Sequence, residues 1–287
     1  MARVVIAGCG YVGNALAAML IAEGHEVFGI RRDPTRLAQG VVPIRGDLGR
    51  PASLGPAPPR VDYAVFAVGA DEGSEQAYRR AYLDGLAGFL EWLANEGQRA
   101  RRIVMTSSTS VYGQRRGEAI DEASPTHPTQ FRGSTMLASE GLLSASGIPS
   151  VVVRLGGIYG PGRTSLITRA RKGALSLRGT PHYTNRIHRD DAAGLVRHLL
   201  FHPAPEPLYL GVDDEPADEA TVYGWLAKEL GLPEPPLANE AVVGDDRRRS
   251  AGSKRCSNRR ARESGYRFRY PTFREGYAAL IQAGDEA

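Results

Sequence analysis

The chain has 287 residues, with 36 Lys plus Arg against 32 Asp plus Glu, a formal net charge of +4. At about 150 residues per domain this is one large domain or two modest ones, long enough to bury a core without staples. With 42% apolar and 24% charged residues, the composition excludes a disordered chain and the dense charge of a polybasic nucleic-acid binder.

The first half alternates short β-branched runs with longer helical patterns. Arg3 to Ala7 reads as a strand buried on both faces, and Asn14 to Glu23 as a helix. Strands follow at Glu26 to Ile30 and Val41 to Ile44. The four prolines of Pro51 to Arg60 make a loop. A fourth strand is expected at Asp62 to Val68, a long helix at Glu75 to Leu93 and a fifth strand at Ile103 to Thr106. A helix from about Gly133 to Ser146 precedes a sixth strand at Val151 to Leu155. Strands alternating with helices imply an α/β, doubly wound parallel sheet of the Rossmann type. Ligands of such sheets bind beyond the strands' carboxyl ends, where strand order reverses.

The later chain reads as a smaller mixed lobe. Ile158 to Thr180 is rich in Gly and Arg, Pro203 to Pro207 is a junction, and helices are expected at Ala192 to Phe201, Ala220 to Leu230 and Phe273 to Ile281. The expected division is 1–158 and 184–204 for the dinucleotide-binding domain, and 159–183 and 205–287 for a substrate-binding lobe. Trp92 and Trp225 lie in leucine-containing helical patterns and are expected in the core.

Gly8-Cys9-Gly10-Tyr11-Val12-Gly13 is Gly-x-Gly-x-x-Gly between an expected strand and an expected helix. Gly8 permits the tight turn, Gly10 lets backbone approach a pyrophosphate, and Gly13 lets helix and strand pack closely. The helix N-terminus offers amides and a positive dipole end to that pyrophosphate. Cys9 reads as a small buried residue. The end of the second strand selects the cofactor: an acid binds the ribose 2′-hydroxyl, whereas arginine accommodates a 2′-phosphate. Arg31 and Arg32 stand there, which favours NADP. Asp33 would serve NAD if the register is shifted, and two solvated arginines are the plain alternative.

Four segments carry a resemblance. Thr106-Ser107-Ser108-Thr109-Ser110-Val111-Tyr112-Gly113 resembles the active-site segment of extended short-chain dehydrogenases/reductases, the group of the NAD-dependent epimerases and dehydratases. Arg154-Leu155-Gly156-Gly157-Ile158-Tyr159-Gly160-Pro161-Gly162 resembles their Arg-Pro-x-x-Val-Tyr-Gly-Pro segment. Asn185-Arg186-Ile187-His188-Arg189-Asp190-Asp191 resembles their His-Val-x-Asp stretch, and Gly46-Asp47-Leu48 their adenine-contacting turn. Together with Ser257-Asn258-Arg259-Arg260 and Phe273-Arg274-Glu275-Gly276, these are similar to the YeeZ-like atypical subgroup. The resemblance implies that Ser108 binds the reacting oxygen of the substrate, that Asp47, Leu48, Ala67, Val68, Gly69 and Ile158 line the cofactor, and that Tyr159 meets the substrate. It also suggests a homodimer.

One departure matters. The family's proton donor is a tyrosine with lysine four residues later, the lysine lowering the phenol's pKa. None of the 12 tyrosines here is followed by lysine at that spacing. Matching Glu140 to the family's helix puts Arg132 at the tyrosine site and Met136 at the lysine site. Three readings remain open. Another acid serves, with Tyr112 or Tyr159 near the right loops; or Arg132 acts electrostatically on an anionic substrate; or the protein is a non-catalytic NADP-binding redox sensor or scaffold. The catalytic reading is an oxidoreductase or epimerase/dehydratase-type enzyme on a small polar substrate, nucleotide-linked or phosphorylated.

Other features carry less. Ser107, Ser108 and Ser110 have no Gly-x-Ser-x-Gly elbow, which argues against a serine hydrolase. Asp190 or Asp191 reads as a helix cap rather than an acid/base partner of His188. Asp121 and Glu122 read as solvated. The basic run Arg247, Arg248, Arg249, Lys254, Arg255, Arg259, Arg260 and Arg262 lacks interleaved aromatics, so no nucleic acid is expected. It reads first as a solvated loop and second, with Arg163, Arg169, Arg171 and Arg186, as an anion-binding edge of a substrate pocket. Cys9 and Cys256 make no disulfide framework, and the six histidines no ligand spacing, so no metal is expected. The cysteine usage and the lack of a signal-peptide pattern lead to an expectation of the cytoplasm, and no apolar run is long enough for a membrane partner.

Overall fold

The computed structural model describes residues 1–238 and 252–284. In chain order its elements are β1 (Arg3–Ala7), α1 (Tyr11–Ala22), β2 (Glu26–Arg31), β3 (Val42–Arg45), β4 (Tyr63–Phe66), α2 (Glu75–Tyr78), α3 (Gly85–Asn95) and β5 (Arg102–Ser108). Then come β6 (Glu118–Ile120), α4 (Phe131–Ala145), β7 (Ser150–Leu155), β8 (Gly157–Tyr159), α5 (Ser165–Arg171), β9 (Tyr183–Thr184), β10 (Arg186–His188) and α6 (Arg189–Phe201). The chain closes with β11 (Leu208–Gly211), β12 (Ala217–Asp218), α7 (Glu219–Glu229), β13 (Lys254–Cys256), α8 (Arg259–Glu263) and α9 (Phe273–Gln282).

Seven strands form one sheet in the order β11-β7-β5-β4-β1-β2-β3. β1 pairs parallel with both β2 and β4, so the order reverses between β1 and β4. β2·β3 and β4·β5 are also parallel. The apolar runs explain this layout. Val4, Val5 and Ile6 of β1 and Ala64, Val65 and Phe66 of β4 are wholly buried, as expected for strands covered on both faces.

Two differences from the sequence reading have physical causes. The helix expected over Glu75 to Leu93 is interrupted by a π-helical stretch, Arg79–Asp84, between α2 and α3. α and π turns share the same residue preferences, so composition does not separate them. The sheet also gains β11, whose four residues follow the prolines of the 203–207 junction.

The chain groups into two compact units. The first comprises 1–111, 128–154 and 192–209; the second comprises 112–127, 155–191 and 210–287. The expected division differs from this at 112–127, 155–158 and 184–191, which the sequence reading gave to the first domain, and at 205–209, which it gave to the second lobe. The first unit's core is the sheet with Leu16, Leu20, Leu86, Phe89 and Trp92. The second unit's core gathers Tyr159, Ile167, Val222, Leu226, Phe273, Tyr277 and Leu280, with Trp225 packed against it. No helix of the described residues is long and apolar enough to cross a membrane.

Candidate functional site

The first unit holds a cavity of about 690 Å³ at the carboxyl ends of β1, β2, β3 and β4, beside the point where strand order reverses. Its wall comprises Gly8, Cys9 and Gly10 after β1; Arg31, Arg32, Asp33 and Arg36 at the end of β2; and Gly46 to Arg50 after β3. Ala67, Val68, Gly69 and Asp71 follow β4, and Arg80, Ala81 and Asp84 come from the π-helical stretch. Of the residues expected at a cofactor, the cavity brings together Gly8, Cys9, Gly10, Arg31, Arg32, Asp47, Leu48, Ala67, Val68 and Gly69. Tyr11, Val12 and Gly13 form the first turn of α1 behind it, and Ile158 lies in the second unit.

The glycine turn has the shape that a pyrophosphate requires. Gly8 sits at φ +94, and a Cβ there would lie 2.6 Å from the Ala67 and Val68 backbone. A Cβ on Gly13 would overlap the Gly8 carbonyl oxygen. Gly10 faces open space, with nothing within 4 Å of an added Cβ. It precedes α1, whose N-terminus has no side-chain cap. Backbone amides and a helix dipole therefore meet an open space at Gly10, an arrangement that could hold an anion.

The cavity wall is rich in charge, and three of its four carboxylates are already engaged. Asp33 accepts from Thr35 N at 3.1 Å and Thr35 Oγ1 at 2.6 Å, capping the turn Pro34–Arg36. Those bonds hold its carboxyl below the usual range, with Arg36 and Arg31 adding to the effect. Asp71 is paired with Arg32 at 2.7 Å. Asp47 accepts from Gly49 N at 3.0 Å and Arg50 Nη2 at 3.3 Å. Arg31 donates to the Cys9 carbonyl. Burial pushes the Cys9 thiol up to about 12 while Arg31 pulls it down, so Cys9 is no nucleophile. Sequence reasoning missed Arg36, Arg50, Arg80, Asp71 and Asp84. Arg80 and Asp84 are one turn apart on a segment whose π geometry no local pattern announces.

Ser108 ends β5, and its Oγ accepts from Ser110 N at 3.1 Å. Ser107 is locked differently: its Oγ donates to Glu140 Oε1 at 2.5 Å, and Arg154 binds the same buried carboxylate at 2.7 and 3.1 Å. Arg132, in the first turn of α4, lies over the rings of Tyr78 and Phe131 at 5.5 and 5.6 Å and reaches the Gly73 carbonyl at 3.4 Å. Met136, one turn on, is buried. Tyr112 belongs to the second unit, where its ring is buried and its hydroxyl donates to the Asp121 carbonyl at 3.0 Å. That bond fixes the 112–127 segment and matches a packing role.

In the second unit, Tyr159 and Arg186 are both buried, together with Asp213, which sequence reasoning did not single out. His188 Nδ1 accepts the Asp190 amide at 3.2 Å at the start of α6, so the histidine does the capping expected of an aspartate. Burial pushes His188 down to about 4, with Asp190 opposing. The Asp191 carboxylate accepts from Arg269 N, Tyr270 N and Tyr266 Oη at 2.7, 2.9 and 3.0 Å. Its role is to hold the 266–270 loop.

The basic run is not a solvated loop where it is described. Lys254 is buried in β13, its Nζ donating to the Tyr112 carbonyl at 2.8 Å. Arg259, Arg260 and Arg262 face Glu263, Glu122 and Asp214. Glu122 is nearly enclosed, contrary to its expected solvation. Arg247, Arg248 and Arg249 lie outside the described residues.

Comparison with known proteins gives a consistent set of relatives. The NAD dependent epimerase/dehydratase family matches residues 4–202. The chain is 28% identical to the 3-diazoavenalumate denitrifying reductase of a Streptomyces species, over 96% of this chain and 98% of that protein. It is 29% identical to protein YeeZ of Escherichia coli, over 94% and 97%. Among solved structures, a Methylobacillus flagellatus protein assigned to the NAD-dependent epimerases/dehydratases superposes with a TM-score of 0.79 at 32% identity, covering 99% of each chain.

Proposed function

The chain belongs to the NAD dependent epimerase/dehydratase family, and from that premise we propose that it is an NADP-linked oxidoreductase acting on a small polar substrate. The observation that carries the cofactor preference is the end of β2. Arg31, Arg32 and Arg36 line the cavity there, and the acid next in the chain, Asp33, is committed to its own turn. Guanidinium groups suit a 2′-phosphate, and a carboxylate already occupied by Thr35 offers little to a 2′-hydroxyl. Bound NADPH supplies hydride. The chain's own part is to cradle the pyrophosphate on Gly8 to Gly10 and the α1 N-terminus, and to place the Ser108 hydroxyl, whose Oγ accepts one bond, to donate to a substrate oxygen. The reductase activity named for the Streptomyces relative supports the redox reading over pure binding.

The non-catalytic sensor reading rests on one observation. The position matched to the family's lysine is a buried Met136, and Arg132 is held by aromatic rings and the Gly73 carbonyl. Titration with NADPH and NADH, followed by nicotinamide fluorescence, tests the cofactor claim. Arg31→Ala should weaken NADPH at least tenfold, about 1.4 kcal/mol, and leave NADH unchanged. Equal affinities of the wild type for both would sink it. A carbonyl-substrate panel read by NADPH oxidation, with Ser108→Ala as control, separates enzyme from sensor.

A further inference from the structure

Four side chains meet in the interior of the second unit. Tyr159 ends β8, Arg186 opens β10, Asp213 follows β11 and Tyr277 lies on α9. They are 5%, 8%, 2% and 4% exposed. The parallel pairing of β8 with β10 sets Tyr159 beside His188 and Arg186 beside Gly157, two positions back. Tyr159 feels the charges of both Arg186 and Asp213, and the Asp213 amide donates to the Arg186 carbonyl at 2.7 Å. Tyr277 stacks on Tyr159 with ring centroids 4.5 Å apart. Gly276 has no side chain to spare here, since a Cβ would overlap the Tyr159 hydroxyl.

The hydrogen bonds of this cluster do not close. Arg186 Nη2 donates to Thr184 Oγ1 at 2.6 Å, but its Nη1 has no partner. Neither do Tyr159 Oη, Asp213 Oδ1 and Asp213 Oδ2. A buried polar group left open costs about 1–3 kcal/mol, more when charged. Native interiors hold only a few such groups per hundred residues, and of the nine such atoms among the described residues four lie together here. They are complementary: a donor, two acceptors and a hydroxyl that can do either. The Arg186 and Asp213 side chains feel each other's charge yet make no hydrogen bond with each other. The missing partner must accept from one and exchange a proton-bearing bond with the other.

We propose that Asp213, Arg186 and Tyr159 form a buried binding site for one oxygen of a small alcohol or ketone. An alcohol oxygen accepts from Arg186 Nη1 and donates to the Asp213 carboxylate. A ketone oxygen only accepts, so it takes bonds from Arg186, from Tyr159 and from an Asp213 that carries its proton. The two protonation states of one carboxyl thus sort two oxidation states of a ligand. Burial pushes Asp213 up to about 8, which puts both states within reach near neutral pH. The groups that face it are Arg186 from β10, Tyr159 from β8, Tyr277 from α9, and Asp214 and Glu215 from its own loop. Arg186 and the Glu215 amide, which points toward the carboxyl but falls outside hydrogen-bond geometry, draw its pKa back down, while the Asp214 and Glu215 charges add to the rise. Glu215 is itself paired with Arg274, and Asp214 with Asn258. The assignment goes beyond the reading above: it gives the second unit a ligand oxygen of its own, separate from the one that Ser108 would meet. Water shares the hydroxyl's chemistry, and the test distinguishes the two.

The test is carbon-13 NMR of aspartate carboxyls in the full chain, without nicotinamide, so that it fails or succeeds apart from the cofactor claim. The Asp213 signal is the one lost in Asp213→Asn, or, if that variant does not fold, the aspartate that titrates near 8. The titration is repeated with 2-propanol and with acetone. Linkage requires the alcohol to lower the midpoint and the ketone to raise it, each by about half a pH unit or more at saturation. Tyr159→Phe should shrink the acetone shift at least threefold. A midpoint that neither probe moves means that water alone fills the site and overturns the proposal. Movement in the same direction with both probes is a solvent effect and also overturns it.

Discussion

The cavity of the first unit and the Asp213 cluster of the second handle charge in opposite ways. Around the glycine turn, carboxylates and guanidinium groups are exposed and answered: Asp71 by Arg32, Asp33 by Thr35, Asp47 by Gly49 and Arg50. In the second unit, an aspartate and an arginine are buried and unanswered at three of their atoms. Exposed charges interact through water at high effective dielectric, so that cavity is complete as it stands and recognises an anion by shape and field. The buried cluster is not complete without another atom. Asp191 in the same unit sharpens the point. It is as buried as Asp213 but accepts three hydrogen bonds at 3.0 Å or less, so burial alone does not leave a carboxylate open.

The largest effects should come from the backbone of the first site. Gly13→Ala forces a Cβ into the Gly8 carbonyl and should cost about 2–4 kcal/mol in a urea unfolding experiment. Gly10→Ala meets nothing within 4 Å. It should cost about 1 kcal/mol at most, for its ψ of −140, yet abolish measurable NADPH binding by filling the place of the pyrophosphate. Equal binding by Gly10→Ala and wild type would break the reading of that cavity as a phosphate cradle.

The second site predicts a pH effect of intermediate size. The folded pKa of Asp213 lies above its unfolded value, so the native state binds more protons between about pH 4 and pH 8. Stability from this group is therefore greatest in acid and is lost as pH rises through 8. Asp213→Asn removes that loss. Relative to wild type it should gain thermal stability steadily from pH 5 to about pH 8 and then level off, by several degrees at the alkaline end. A constant offset across that range would mean that Asp213 is ionised throughout in the folded protein.

The two sites also differ in how far the sequence revealed them. The first is local: Gly8 to Gly13, Arg31 and Arg32, and Asp47 and Leu48 are short segments, each at a strand end that apolar runs announce. Sheet topology alone brings those ends together. Of what escaped there, Arg80 and Asp84 came from the 79–84 turn, whose hydrogen-bonding pattern leaves no mark in residue type, and Arg36, Arg50 and Asp71 stand a few residues beyond the segments that were read. The second site is assembled from positions 159, 186, 213 and 277, on two strands, the loop after a third and a helix, with no constant spacing. Tyr159 and Arg186 could be noticed through family likeness. Asp213 could not, because two adjacent aspartates after a short strand look like any solvated turn, and only its lack of partners sets it apart.

The smallest effects test whether the arginines at the first site are held for a ligand or for each other. Arg32 and Asp71 pair at 2.7 Å, with side chains 63% and 66% exposed. Such a pair contributes little to folding, so Arg32→Ala and Asp71→Ala should each change stability by less than about 0.5 kcal/mol. Their effects on NADPH should have opposite signs. Removing Arg32 takes a positive charge from the place of the 2′-phosphate and should weaken binding about two- to threefold at low salt. Removing Asp71 frees the same guanidinium and lifts a negative charge from the wall, so binding should tighten by a similar factor. Both differences should fade as added salt screens the exposed groups. Weakening by both substitutions would mean that the pair acts as a brace for the loop after β4, and the phosphate would then rest on Arg31 and Arg36 alone.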